Sequence, residues 1–530
     1  MKTEVAVAKV GDLKDGEMKE VLVGETRILL TRLKGKFYAI GNVCTHYGGY
    51  LHEGCRSGEG VYCPWHQSRF NVTTGDLEEP PALDAVPRFA VRVDGEDVLV
   101  TVPEGAGDRR LPDMVKYNPG EDRRTFIILG AGAAGNMAAQ TLREDGFQGR
   151  VLMLTYENSL PYDRPNLSKG YLYGDAPLES LPWRPERFYR DHDIELRFGH
   201  RVSRVDPGRK LIELATGAPM SYDALLLATG GAPLPLPVPG GDLDNVFTLR
   251  IIEDATRIIQ AARKGAPAVV VGASFIGMEA AYSLTKRGLQ VTVVAPGPTP
   301  FQRQLGPEIG KVLQQLFEEH GVAFRLGARV ARLEGRGKVE AVVLESGERL
   351  PAELVVAGVG VKPATDFLQG VPLNPDGSVT VDQHLRVAGD LYAAGDIARF
   401  PDWRTGELIR IEHWRLAQQH GRIAAHNMAG KPVAFRGVPF FWSELFEAMP
   451  QYVGHAAAWD EIILHGDLAA RNFVAFYVKN QRVLAACGLG HDAQMAAIAE
   501  LMRLDKMPGA EEVRANLSLD PLALLKEVQK

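Results

Sequence analysis

The chain has 530 residues, 45% hydrophobic and 24% charged, with a formal net charge of −6. That length exceeds one ordinary domain, and the acidic balance argues against nucleic acid, whose phosphates are bound by basic surfaces. No segment supplies about 18 uninterrupted apolar residues, so no membrane span is expected. Four cysteines (Cys44, Cys55, Cys63, Cys487) are too scattered for a disulfide framework.

The opening "MKTEVAVAKVGDLKDGEMKE" lacks the basic start and apolar core of a signal peptide, and the expected setting is cytoplasmic. Residues 1–104 read as all-β. "TRILLTRLKGKFYAIGN" gives two apolar strands around a Lys-Gly-Lys turn, and "FAVRVDGEDVLVTV" repeats the pattern around Asp-Gly. Residues 105–122 are polar, rich in proline and glycine and without periodicity, as expected of a linker. From residue 123 strands alternate with alanine-rich helices, the texture of an α/β sheet. "TFIILGAGAAGNMAAQTLREDG" is strand, glycine turn and helix, and "APAVVVGASFIGMEAAYSLTKRGLQVTVV" repeats the grammar. After residue 432, aromatic strands such as "NFVAFYVKNQRVLAACGLG" and a helical "HDAQMAAIAELMRL" suggest an α+β piece.

Within the first domain, Cys44-x-His46 is followed after sixteen residues by Cys63-x-x-His66. Two thiolates and two imidazoles suit tetrahedral zinc, although C-x-H is short for a zinc knuckle. "CTH", "CPWH" and the following "RFNVTTGD" resemble the Rieske proteins, whose [2Fe–2S] cluster has cysteine on one iron and histidine on the other. That resemblance implies the metal ligands Cys44, His46, Cys63 and His66. The extra cysteine pair of high-potential Rieske proteins falls here on Gly49 and Trp65, which implies the ferredoxin type. Gln67 stands where the family usually has glycine. Ser68 is placed either to hydrogen-bond the cluster or to finish the turn, and Cys55 lies outside the ligand pattern.

"ILGAGAAGNMA" places Gly130, Gly132 and Gly135 as G-x-G-x-x-G between a strand and a helix, where the helix amides face a pyrophosphate. The motif is followed in order by "LPYDRPNLSKGYL", "YDALLLATGGAP" and "LYAAGDIARF". This set resembles the ferredoxin reductases of oxygenase systems, of the putidaredoxin reductase type, and the apoptosis-inducing factor family. With the Rieske segment in front, the architecture is similar to the apoptosis-inducing factor-like proteins.

The resemblance implies FAD on the first unit and NADH or NADPH on the second. It carries over Ala134, Arg164, Lys169, Val202, Ala228, Thr229, Arg250, Asp396 and Trp414 as FAD contacts. The acid expected on the adenosine ribose aligns with Tyr156, so its neighbour Glu157 is assigned instead. The second motif uses Gly272, Ser274 and Gly277, with Ile276, Glu279 and Gly360 completing the nicotinamide side. Its strand ends in "APGP", without the acid that binds NAD ribose hydroxyls. Arg303 is the nearest candidate for a 2′-phosphate, and the choice of coenzyme stays open, leaning to NADH.

The expected organisation is therefore multidomain. A Rieske domain (1–104) and a linker (105–122) precede two Rossmann-like α/β domains and an α+β interface domain (433–530). The α/β pair divides into a discontinuous FAD domain (123–250 and 384–432) and an NAD(P)H domain (251–383). Catalytic positions implied are Lys169 and Glu279, an ion pair on the flavin side, and Trp414 near the flavin rim. No cysteine lies between Gly130 and Lys169, which removes the disulfide-reductase chemistry of this fold. The function expected is electron transfer from NAD(P)H through FAD to the Rieske cluster and on to an oxygenase or cytochrome. The alternatives are an NADH-responsive signalling or stress protein and an NAD(P)H oxidase. A homodimer is compatible with the resemblance; nucleic acid and membrane are not expected partners.

Overall fold

A computed structural model describes residues 2–529. Its front part is built on a six-stranded antiparallel sheet ordered Lys2–Lys9, Asp97–Pro103, Arg88–Asp94, Lys36–Gly41, Thr26–Leu33 and Met18–Val23. Alternation places Val98, Val100 and Val102 inward while their neighbours stay more exposed. The hairpin at residues 34 and 35 works because Lys34 and Gly35 both take positive φ, 51° and 76°, matching the twist of the strands they join. A second sheet, of Cys55–Ser57, Gly60–Tyr62, Arg69–Asn71 and Leu77–Glu79, supports the ligand loops.

The expected linker has no named strand or helix but is not a free coil. Arg110 exchanges both backbone hydrogen bonds with Ala85 (3.0 and 2.9 Å), and the amides of Val115 and Asn118 donate to the carbonyls of Arg143 and Gln148. The segment is therefore tied to both flanking domains by backbone hydrogen bonds.

The next sheet runs Ile194–Arg197, Arg150–Leu154, Thr125–Leu129, Ala224–Leu227, Leu391–Ala393 and Arg386–Ala388. It is parallel except for the last pair. The strand Leu391–Ala393 returns to it after a second parallel sheet has been completed: Val246–Phe247, Leu354–Ala357, Pro267–Val271, Gln290–Ala295 and Ala323–Leu326. Strands buried on both faces read as continuous apolar runs, such as Ala224–Leu227 and Leu354–Ala357. The C-terminal part is a five-stranded antiparallel sheet (Phe440–Trp442, Gln451–Gly454, Arg482–Leu489, Asn472–Lys479, Glu461–Asp467) followed by three helices, the first Asp492–Arg503. Among the described residues no helix is long and apolar enough to cross a membrane.

The front domain is packed against the rest. Cys55 and Tyr62 share an apolar cluster with Ala496, Ala497, Leu501 and Leu525 of the C-terminal helices. Cys55 is thus a packing residue. Beside it the buried Glu500 accepts from Ser57 Oγ (2.5 Å) and Tyr62 Oη (2.9 Å). On the other flank Asp84 pairs with Arg184 at 2.6 Å, their side chains only 2% and 5% exposed.

Candidate redox site

The two ligand loops meet. Nδ1 of His46 lies 3.0 Å from Nδ1 of His66, and the Cys63 thiol donates to the Cys44 sulfur. Amides also point at the sulfurs: those of His46 and Tyr47 at Cys44, and those of Trp65 and His66 at Cys63. Such donors stabilise thiolates. Within the pair Cys44 ionises first, because Cys63 donates to it, and Cys63 is held well up. Burial pushes His46 down to about 3. His66 is held well below the ordinary range by burial first, then by His46 and the charge of Lys169. Both imidazoles are therefore neutral and able to ligate.

The donor set is two sulfurs beside two nitrogens. Among the described residues no three His, Cys, Asp or Glu side chains converge as a mononuclear ion requires. A [2Fe–2S] cluster asks only two protein ligands of each iron, so these residues fit it better than zinc.

The neighbours of the ligands account for three open positions. A Cβ on Gly49 would meet Cys63 Sγ and the Trp65 ring, both at 3.0 Å, so the space of a side chain at 49 is already filled. Gln67 takes φ 58°, its amide donates to the Cys63 carbonyl at 3.0 Å, and its own carbonyl accepts from the buried Arg415 at 3.1 Å. The Ser68 hydroxyl bonds the Cys44 sulfur and its oxygen accepts the Ala82 amide at 2.9 Å, while the turn is closed by its backbone carbonyl, which accepts the Cys63 amide at 2.8 Å.

The histidine edge of the ligand set faces the reductase. The Trp442 indole packs on His66 with ring centroids 4.2 Å apart and on His46 at 6.1 Å. The next residue, Ser443, donates to Glu279 at 2.7 Å. Glu279 also receives Lys169 at 2.7 Å, the two side chains 5% and 11% exposed, and Ser168. Tyr47 hydrogen-bonds Asp163, and Asn166 donates to the Tyr47 hydroxyl at 2.7 Å. The "PYDRPNLSK" segment thus touches the cluster loop directly.

The glycine turns have the geometry a dinucleotide needs. Gly130 has φ 104°, and a Cβ there would meet the Ala228 carbonyl at 2.2 Å; one on Gly135 would meet the Gly130 carbonyl at 1.9 Å. Gly132 instead opens onto empty space at the start of the helix Ala133–Glu144, whose first turn has no side-chain cap. Uncapped amides behind an open cradle fit a pyrophosphate. The second motif repeats this: Gly272 at φ 113° abuts the Gly358 carbonyl, Gly277 abuts the Gly272 carbonyl, and Ser274 starts the helix Phe275–Lys286 without capping it. Ile276, on that first turn, is 44% exposed, and a Cβ on Gly360, at φ 116°, would meet only Leu234 Cδ1, at 3.8 Å.

Most other expected FAD contacts gather around the first cradle. Ala134 is buried at the helix start, and its carbonyl closely approaches Gly421 of the helix Trp414–Met428. Arg250 pairs with Asp396 at 2.8 Å, and Asp396 sits in the short turn Gly395–Ile397. Thr229 Oγ1 donates to the Ala364 carbonyl at 2.7 Å, beside Ala228. Arg164 donates to the Arg250 carbonyl and to Glu157, which also receives the Tyr162 hydroxyl. Tyr156, the alternative to Glu157, is 56% exposed. Val202 begins the strand Val202–Asp206 and packs on the first α/β core. Trp414 packs against Trp183 (centroids 4.7 Å apart), and its buried Nε1 lacks a partner.

Sequence reasoning missed Trp442, Ser443 and Arg415. The aromatic run "FFWS", in a segment whose pattern suggests an antiparallel strand, was the one available signal.

Comparison with known proteins agrees with the geometry. Residues 124–421 match the pyridine nucleotide-disulphide oxidoreductase family, residues 3–90 the Rieske [2Fe-2S] domain, and residues 440–527 the reductase C-terminal domain. The chain is 39% identical over 510 residues to apoptosis-inducing factor 3 of Homo sapiens, covering 94% of this chain and 84% of that protein. It is 33% identical over 409 residues to putidaredoxin reductase CamA of Pseudomonas putida, covering 76% and 96%. The crystal structure of the covalent putidaredoxin reductase–putidaredoxin complex superposes with a TM-score of 0.72 at 31% identity, covering 77% of this chain and 99% of that one. The disulfide chemistry in the family description finds no residues here. All four cysteines are free and buried, two of them lie in the paired loops of the Rieske segment, and burial pushes the Cys487 thiol up to about 12. The chain therefore belongs to the pyridine nucleotide-disulphide oxidoreductase family, as an FAD-dependent NAD(P)H oxidoreductase with a Rieske [2Fe–2S] domain in front and a reductase C-terminal domain behind.

Proposed function

We propose that the chain passes electrons from NAD(P)H through FAD into its own Rieske cluster, and from there to a separate redox protein such as an oxygenase or cytochrome. The observation that carries this reading is the contact of the cluster histidines with Trp442, one residue from the Ser443–Glu279–Lys169 network. When bound, FAD accepts electrons in pairs as hydride and releases them singly, which suits a one-electron cluster.

The chain's own residues serve that exchange by position. Glu279 and its two serines hold the Lys169 ammonium in one place, so a fixed positive charge faces the site where hydride arrives. Trp442 stands between that network and the histidines. The Gly130 and Gly272 turns cradle the two pyrophosphates. Arg164, Arg250 and Asp396 fix the flavin nucleotide, with Glu157 on its adenosine side and Trp414 at the rim. The domain division follows: 1–104, a tether at 105–122, FAD at 123–250 and 384–432, NAD(P)H at 251–383, and 433–530 as the surface that receives the Rieske domain. A cytoplasmic setting agrees with four unpaired cysteines.

The test is stopped-flow reduction of Trp442→Ala by NADH, following flavin and cluster absorbance separately. Flavin reduction should stay within about twofold of wild type, while cluster reduction slows at least tenfold. Cluster reduction at the wild-type rate would reject the path through this contact.

A further inference from the structure

A second polar site lies where the front domain, the helix Trp414–Met428 and the C-terminal part meet. A cavity of about 200 Å³ is lined there by Gln67, Arg69, Arg415, Arg422, Arg436 and Arg503, with Glu79 and Glu500 as its only acids. Five guanidinium groups against two carboxylates leave a net positive lining.

Two of those arginines are neutralised. Arg69 pairs with Glu78 at 2.8 Å and Arg503 with Glu500 at 2.6 Å. The other three have no carboxylate within salt-bridge reach. Arg415 donates only to the carbonyls of Pro80 and Gln67, and Arg422 only to those of Leu77 and Glu78. Arg436 is exposed and has no partner among the described residues. Glu79 accepts from Gln419 at 2.7 Å.

Donors without acceptors point the same way. Gln67 is 1% exposed, and its Nε2 has no hydrogen-bond partner, nor does the buried Nε of Arg69. A buried amide left unpaired costs stability unless something satisfies it. Three guanidinium groups against the one remaining carboxylate of Glu79, with two orphan donors around the same cavity, make an acceptor-rich, negatively charged occupant the natural complement.

Size narrows the class. The volume is below the range of about 300–1,000 Å³ typical of drug-sized ligands and corresponds to roughly seven waters at about 30 Å³ each. That size favours a small anion with part of its water shell over a drug-sized ligand.

We infer that this cavity is a binding site for a small phosphate-like dianion, which bridges the front domain to the reductase at Gln67, the residue directly after ligand His66. None of the residues assigned to FAD or NAD(P)H lines it, so the site stands apart from both dinucleotides. It also gives the non-glycine residue at 67 a task, because glycine has no side-chain amide to offer.

The probe is inorganic phosphate, titrated calorimetrically into the loaded full-length protein at constant ionic strength, with chloride as the reference anion. Arg436→Glu is the informative variant, since the side chain is exposed and its loss leaves the packing intact. Saturable 1:1 binding by the wild type, weakened at least tenfold in Arg436→Glu and partly kept in Arg436→Lys, is the expected result. Thermal melting followed through cluster absorbance should rise with phosphate in the wild type and not in Arg436→Glu. Unsaturable binding, or equal affinity in wild type and Arg436→Glu, would overturn the assignment. Anion binding at the dinucleotide sites would give that second outcome, because Arg436 lines neither.

Discussion

Asp84→Ala should loosen the docking of the Rieske domain. The carboxylate is 2% exposed and meets Arg184 at 2.6 Å across the domain boundary, with the exposed Arg109 at 3.4 Å as a weaker neighbour. Removing it leaves the Arg184 guanidinium buried with two neutral acceptors, the Leu83 carbonyl (3.0 Å) and Gln140 Oε1 (3.1 Å). Breaking a buried pair from one side costs about 3–5 kcal/mol, mostly from the charge left behind. At about 1.4 kcal/mol per factor of ten, the docked state loses roughly a hundredfold to a few thousandfold in its equilibrium. Urea unfolding followed by cluster absorbance and by flavin fluorescence separates the domains, since a chain of this size need not unfold in one step. The cluster transition should move to lower urea, and transfer from flavin to cluster should slow while flavin reduction by NAD(P)H is kept. The double variant Asp84→Leu/Arg184→Met should recover much of the loss, because neither charge remains. A loss below about 0.5 kcal/mol in Asp84→Ala would refute the reasoning, since that is the scale of an exposed pair.

Lys169→Met should slow flavin reduction by NADH by about tenfold or more, since it removes a preorganised charge, and Glu279→Gln should do less. Wild-type rates in both would place the pair away from the hydride site. The strand Gln290–Ala295 ends without an acid, so kcat/KM for NADH and NADPH should differ by less than about tenfold. Ala295→Glu should favour NADH by restoring an acceptor for the ribose hydroxyls, and a hundredfold preference in the wild type would contradict this. Burial lifts Asp163 from 3.8 to about 6 against the hydrogen bonds of Tyr47 and Asn166. The folded chain therefore holds this proton more tightly than the unfolded one, and stability from this group is greatest at low pH and lost as pH rises through about 6. Asp163→Asn should remove up to ~3 kcal/mol of that slope between about pH 4 and 6, read from urea midpoints; an unchanged slope would count against a buried carboxyl.

The ligand quartet was legible because each pair is local. Cys44 with His46, and Cys63 with His66, are set by short loops whose turns follow from their own glycines and proline. Gly130, Gly135, Gly272 and Gly277 were legible for a similar reason, since a side chain there strikes a nearby carbonyl. Gln67 was not, because its carbonyl is held by Arg415, 348 residues away. Trp442 looked like any strand aromatic until the fold set it against two histidines.

By itself, then, the sequence determined the order of the domains and the two glycine turns, because those depend on spacing within single turns and on the period of the apolar pattern, while the cofactor classes came from the resemblance of its motifs to known families. Tertiary structure alone decided that the histidine edge of the cluster site turns toward Trp442 and Lys169. It also decided that an arginine-lined cavity closes beside Gln67. Both result from surfaces far apart in the chain being pressed together by buried ion pairs and apolar contacts. No local rule of spacing or propensity encodes such a meeting.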